Sequence, residues 1–156
     1  MKVTIAIPPH NRTTYLDKVF TGALSQRYDD YEILVSDSSS NDEVQEKVRS
    51  YGHEDRIRFI QYSPSLNQPQ KFNEMIKEAR GEWVVFLGDD DSLDSDFLPV
   101  LMGHASREPR AAIILCRFRA INEHGKLLRL DAVHKKVISS AEFLSHLFLP
   151  SKDFLK

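Results

Sequence analysis

Short apolar runs alternate along this chain with segments of helical period. Val3 to Ile7 is a five-residue run of β character, closed by Pro8 and Pro9. Leu16, Val19, Phe20, Ala23 and Leu24 then recur at i, i+3, i+4, i+7 and i+8, which predicts one apolar helix face, with Asn11 or Thr13 placed to cap it. Glu32 to Ser36 predicts a second strand. The polar run after it contains Ser40 and Glu43 at capping-box spacing and leads into a short helix striped by Val44, Val48 and Tyr51. Ile57 to Tyr62 predicts a third strand. Phe72, Met75, Ile76 and Ala79 mark a third helix, with Pro69 near its first turn and Gly81 past its end.

Trp83 to Leu87 is apolar without alternation, the pattern of a central strand covered on both faces, and it stops at Gly88, Asp89, Asp90 and Asp91. Ser95 is placed to cap a fourth helix carrying Phe97, Leu98, Leu101 and Met102, with Pro99 in its first turn. Ala112 to Phe118 and Lys126 to Leu130 flank a turn at Asn122 to Gly125 and read as a strand and a hairpin. Ser139 and Glu142 repeat the capping-box spacing before Phe143, Leu144, Leu147 and Phe148. Together these elements predict an α/β fold, a Rossmann-like, mostly parallel sheet with helices on both faces. No repeat, low-complexity tract or linker interrupts it, so residues 1–156 are expected to form a single domain.

With 156 residues, of which 41% are hydrophobic and 28% charged, the chain has the balance of a globular domain able to bury a core. Its net charge of −2 is spread along the sequence and makes no basic field for a phosphate backbone, so nucleic acid is not an expected partner. The longest apolar runs fall far short of the roughly 20 residues a membrane helix needs. No secretory leader precedes the first strand, so a cytoplasmic location is expected. Cys116 is alone in an apolar run and reads as a buried structural thiol.

In an open α/β sheet, ligands bind beyond the carboxyl ends of the strands, where the strand order reverses. Pro8, His10, Asn11 and Arg12 follow the first strand, Asp37 ends the second, and Asp89, Asp90 and Asp91 follow the fourth. Three successive carboxylates repel one another, and a divalent cation offsets that charge. Oxygen ligands of this kind suit Mg2+ or Mn2+, ions that commonly bring a diphosphate as a further ligand. The competing reading is a solvated acidic turn before the next helix. Asp37 is open to the same two readings, because Asp is also an ordinary turn residue. Arg12 is a phosphate partner or a plain surface cation, and a lone loop histidine such as His10 is more often a polar contact than a base.

The runs TIAIPPHNR at 4–12, EILVSDSSSND at 32–42 and ARGEWVVFLGDDDSLDSDFL at 79–98 together resemble the nucleotide-sugar half of a family 2 glycosyltransferase with the GT-A fold. The resemblance covers about the first 105 residues. It implies a nucleoside diphosphate sugar donor, commonly a UDP-sugar, a divalent metal, and a glycan or lipid-linked sugar as acceptor. By that resemblance Asp37 meets the base, Pro8 to Arg12 lie against base and ribose, and Asn73 faces the donor. The family's DxD motif falls on the cluster after Leu87: aligned on the following apolar residues, Asp90 binds metal with Asp91 beside it and Asp89 takes ribose or metal-bound water, whereas a literal Asp-x-Asp reading pairs Asp89 with Asp91. Phe72 stands where many relatives carry an arginine, which leaves Lys71 as the candidate phosphate contact from a different helix azimuth.

The family's general base lies well beyond the acidic cluster. Asp131, Glu142 and Asp153 have no surrounding motif, so the base is expected beyond residue 156 and the chain is expected to be truncated. The resemblance implies an inverting transfer, peripheral membrane association of the full-length protein and self-association as partner expectations. The alternative is a non-catalytic nucleotide or divalent-metal binding module. Nucleotidyl transfer fits less well, because Pro8, Pro9 and His10 replace a Gly-rich loop. A calcium loop lacks its central Gly and terminal Glu.

Overall fold

The computed structural model describes residues 2–130 and Ser139. The chain divides into two compact units, Met1–Pro109 and Arg110–Lys156. The first contains β1 (Val3–Ile7), α1 (Leu16–Leu24), β2 (Tyr31–Asp37), α2 (Glu43–Arg49), β3 (Ile57–Gln61), α3 (Gln68–Glu78), β4 (Trp83–Phe86) and α4 (Phe97–Arg107).

Its four strands form an all-parallel sheet in the order β3-β2-β1-β4. The chain lays down β1, β2 and β3 in one direction and then crosses to the other side of β1 to place β4. The strand order therefore reverses between β1 and β4, and a crevice opens there at the carboxyl ends.

Period-two alternation assigns the two sheet faces. Val3, Ile5 and Ile7 of β1 and Tyr31, Ile33 and Val35 of β2 join one core with Leu16, Val19, Phe20 and Ala23 of α1, Val44 and Val48 of α2 and Leu98 of α4. Each large side chain buried there contributes about 1.5–3 kcal/mol. Ala6 and Leu34 point to the opposite face and are also fully buried, as is Met75 of α3, which packs against β2. That second face also buries Thr4 and Glu32. Glu32 accepts hydrogen bonds from Thr4 Oγ1 at 2.8 Å and from the Arg80 amide at 2.9 Å, and pairs with Arg58 of β3 at 3.2 Å.

Several sequence expectations are corrected. Among the described residues Trp83 to Leu87 stands at the edge of the sheet rather than at its centre: β4 pairs there with β1 alone, and Phe86 is 43% exposed. The buried face of α3 is Lys71 and Met75, whereas Ile76 is exposed and Phe72 packs edge-on against Phe86. A capping box between Asn67 and Gln70 starts that helix, with mutual bonds of 2.9 and 3.1 Å.

The caps expected for α1, α2 and α4 are not formed. Tyr15 stands at the N-cap of α1, Asp42 at that of α2 and Asp96 at that of α4, each without a side-chain cap bond. In place of Ser95, buried Gln26 crosses from the end of α1. Its Oε1 accepts from the Leu98 amide at 2.9 Å, and its Nε2 donates to the Asp94 carbonyl at 2.8 Å.

In the second unit, β5 (Arg119–Ile121) and β6 (Leu127–Leu130) pair as an antiparallel hairpin, with Gly125 at φ 75° in the turn. Residues 112–118 have no regular structure, no strand among the described residues pairing with them, and Cys116 is exposed rather than buried. The expected helix after Ser139 lies outside the described residues.

Candidate functional site

A cleft of about 400 Å3 opens at the carboxyl ends of the strands, lined by Pro8, His10, Arg12, Ser38, Leu66, Lys71 and Asp89 among others. Its walls are the segments leaving β1, β2 and β4 and the approach to α3, so it contains the point where the strand order reverses.

The loop after β1 is built on the loop after β2. Asn11 adopts φ 52°, a left-handed conformation that asparagine tolerates better than most residues. This turn lets its amide donate to Ser39 Oγ at 2.7 Å while its Oδ1 accepts from the Ser40 amide at 2.9 Å. His10 Nδ1 lies 3.0 Å from the Ser38 carbonyl, which can only accept, so Nδ1 carries the proton; Nε2 then accepts from Asn11 Nδ2 at 3.3 Å. His10 is thus a polar contact that joins the two loops.

Asp37 has no exposed surface. Its Oδ1 accepts from the Ser39 amide at 2.8 Å and the Ser39 hydroxyl at 2.5 Å, which turns the chain sharply after β2. Its Oδ2 is buried without a partner among the described residues. An unpaired buried acceptor costs about 1–3 kcal/mol, and a ligand N–H would satisfy it once the covering atoms shift. Asp37 does not line the open cleft and stands just behind it.

Lys71 is nearly buried, and its Nζ donates to the Pro9 carbonyl at 2.6 Å and to Ser38 Oγ at 3.0 Å. Burial pushes its ammonium down to about 8, against the opposing pull of Asp37 and Asp89. Two carboxylates from different strand ends thus act on one buried amine, which places both on the same edge of the sheet. Asn73 is exposed and absent from the cleft lining; two residues from Lys71 it is turned roughly 200° around α3.

Arg12 spans the crevice. Its guanidinium makes a forked pair with Asp89, with Nε 3.2 Å from Oδ2, and reaches Asp90 Oδ2 at 3.0 Å. The hydrogen bond and charge of Asp89 hold the guanidinium even further up than usual. Asp89 is the most enclosed of these partners, with its side chain 15% exposed against 49% for Asp90.

Among the described residues no three His, Cys, Asp or Glu side chains form a ready cage for a metal. The donors nevertheless fit a hard divalent cation. A Cβ at Gly88 would lie 2.6 Å from Asp91 Oδ2 and 3.3 Å from Asp90 Oδ1, so the bare glycine leaves a space onto which both carboxylates face. A cationic group, that of Arg12, already stands at Asp89 and Asp90. Mg2+ is typically bound by one or two carboxylates together with substrate phosphates, and Asp90 and Asp91 match that donor set.

Ser38, Ser39 and the 64–68 segment belong to the site and were not singled out from the sequence. The strand-end rule applied to β3 as well would have pointed to the 64–68 segment.

The comparisons with known proteins fit this architecture. The model of the glycosyl transferase family 2 matches residues 4–150. A GalNAc(5)-diNAcBac-PP-undecaprenol β-1,3-glucosyltransferase of Campylobacter jejuni is 35% identical over 112 residues, covering 67% of this chain and 35% of that protein. The structure of Staphylococcus aureus TarS 1–349 in complex with UDP-GlcNAc superposes with a TM-score of 0.61 at 23% identity, over 70% of this chain and 32% of that one. A mannosyltransferase from Pyrobaculum calidifontis in complex with GDP-Man and Mn2+ gives a TM-score of 0.53 at 22% identity, over 57% and 27% of the two chains. The sheet with flanking helices is thus the GT-A fold of these neighbours. The chain spans about a third of the length of its Campylobacter relative. With the family model covering nearly its whole length, the chain belongs to the glycosyl transferase family 2.

Proposed function

We propose that this chain is the donor-binding side of a metal-dependent, inverting glycosyltransferase and holds a nucleoside diphosphate sugar, a UDP-sugar in the first instance, in the switch-point cleft. The observation that carries this reading is the bridge from Arg12 to Asp89 and Asp90 across the ends of β1 and β4, with buried Lys71 and Asp37 at the neighbouring strand end. One end of the cleft is polar and enclosed, suited to a base and ribose. The other combines the exposed guanidinium of Arg12 with the acids Asp89 and Asp90, suited to a diphosphate and its counter-ion. Residues 1–105 supply this side, and the general base and acceptor site belong to the rest of the enzyme.

In the reaction an acceptor hydroxyl attacks the anomeric carbon and the diphosphate departs. The charge developing on that leaving group dominates the barrier, and preorganised cations stabilise it. When bound, a divalent ion supplies Lewis-acid neutralisation of the diphosphate. Asp90 and Asp91 would hold it. Arg12, released from Asp89 and Asp90, turns its five donors to the phosphate oxygens. Asp37 accepts from the base, and the loop formed by Pro8, His10 and Asn11 closes on the ribose side. The undecaprenol-linked name of the Campylobacter relative supports a lipid-linked glycan as acceptor, and with it a working position at a membrane face. Among the described residues no helix is long and apolar enough to cross a membrane.

Calorimetric titration of UDP, GDP and dTDP, with and without Mn2+, tests this reading. UDP and Mn2+ are expected to strengthen each other's binding, and Asp90→Ala to abolish that coupling while leaving metal-free UDP affinity within about twofold. UDP affinity indifferent to Mn2+ in the unaltered chain contradicts the role given to Asp90.

A further inference from the structure

The cleft contains two basic side chains in opposite states. Arg12 is exposed, with 44% of its side chain accessible, and its charge is shared with two carboxylates that a ligand can displace. Lys71 is buried and already spends two of its three N–H donors on fixed acceptors, the Pro9 carbonyl and Ser38 Oγ. Those acceptors lie at the exits of adjacent strands β1 and β2. Ser38 also receives His10 through its carbonyl, so Lys71, His10 and Ser38 fasten one loop to the other. Asp37, whose Oδ2 lacks a partner among the described residues, precedes Ser38 directly. Drawing the ammonium out toward a phosphate would break both bonds and leave the Pro9 carbonyl without that donor in the interior and Ser38 Oγ with His10 Nδ1 alone at 3.2 Å, a cost that an exposed arginine nearby does not incur.

We propose that Lys71 is a positioning residue for the nucleoside end of the donor, holding the loops after β1 and β2 at the spacing the base and ribose require, and that the diphosphate contact belongs to Arg12. This rests on the donor-site reading above. It differs from the sequence expectation, in which Lys71 replaces a missing phosphate ligand.

The two roles separate when the phosphates are removed. Uridine and UDP are titrated, by amide chemical shifts, into the unaltered chain and into Lys71→Met and Arg12→Gln. A lysine that frames the nucleoside predicts that Lys71→Met weakens uridine and UDP by the same factor, about tenfold, as expected for about 1.4 kcal/mol. Arg12→Gln should weaken UDP alone. Lys71→Ala with added propylammonium should regain uridine affinity, whereas propanol should not restore it; a merely structural lysine would show no such selectivity.

Loss of UDP affinity with uridine unchanged in Lys71→Met overturns the assignment and makes Lys71 a phosphate ligand. No change for either ligand overturns it as well. Should the Lys71 variants not fold, Ser38→Ala removes one tether with the lysine in place. It must weaken both ligands equally, and unchanged affinities in that variant refute the proposal. Failure of the unaltered chain to bind UDP instead refutes the donor-site reading, and the assignment with it.

Discussion

Replacing Arg58 by Met should cost this fold about 3 kcal/mol at neutral pH, at the lower end of what breaking a buried ion pair costs. Glu32 is the second residue of β2, directly across from Thr4 of β1, with its side chain only 4% exposed, and Arg58 on β3 is 21% exposed. Burial alone would raise the Glu32 carboxyl, but Arg58, the Arg80 amide and the Thr4 hydroxyl outweigh it and hold the group below the usual glutamate range. Arg58 also bonds the Glu78 carboxylate and carbonyl at the end of α3, so one guanidinium ties three parts of the unit together. Methionine keeps the apolar stem and leaves a buried carboxylate facing two neutral donors.

The sign of the pH dependence is fixed by the same contacts. In the unaltered chain Glu32 adds stability that is present above the ordinary pKa near 4.5 and is lost as pH falls through its lower folded value. In Arg58→Met the folded pKa moves upward, so the deficit is greatest at neutral pH and shrinks toward acid. Urea denaturation of both proteins between pH 4 and pH 7.5 measures this. A deficit below about 1 kcal/mol at neutral pH, or one that does not change with pH, would refute the pairing argument.

Gln26→Ala should cost about 2 kcal/mol, because the buried Leu98 amide loses its acceptor and the Asp94 carbonyl loses one donor while keeping the Phe97 amide. Hydrogen exchange at the Leu98 amide should rise with it, and unchanged protection there would show that the start of α4 does not depend on the glutamine. Lys71 has a folded pKa of about 8 against an ordinary value of 10.5, so the unfolded chain binds the extra proton between those limits and stability rises with pH across that window. Relative to Lys71→Met, the unaltered chain should gain up to about 3 kcal/mol from pH 8 toward 10.5, and a flat difference would mean that the ammonium is not desolvated.

What the sequence discloses here follows from where burial is continuous. Val3 to Ile7 and the stripe from Leu16 to Leu24 match β1 and α1, because both are covered on the sides their patterns demand. Trp83 to Leu87 has the composition of a central strand but lies, among the described residues, at the edge as β4, since composition does not state which strand a crossover places beside it. The caps were harder to read. Asn11, Ser38, Ser39 and Ser40 have ordinary cap chemistry, yet Asn11 bonds Ser39 and Ser40 across two loops while Ser38 bonds His10 and Lys71, a long-range choice that local spacing does not encode. The buried polar face of α3 was hidden for a related reason: Lys71 reads as solvent-facing until partners from β1 and β2 are in place. The position of the site was legible, because Arg12 and Asp89 both follow strands whose order reverses between them.

The most direct measurement is a map of amide chemical shifts on adding UDP to the folded chain. A nucleotide held at the carboxyl ends of the strands predicts the largest changes at His10, Asn11, Arg12, Ser38, Ser39, Lys71 and Asp89, fading toward the opposite end of the sheet. Changes centred on the second cleft, of about 420 Å3 between the end of α2 and the start of β3 and lined by Val48, Arg49, Tyr51 and Ile57, would contradict it.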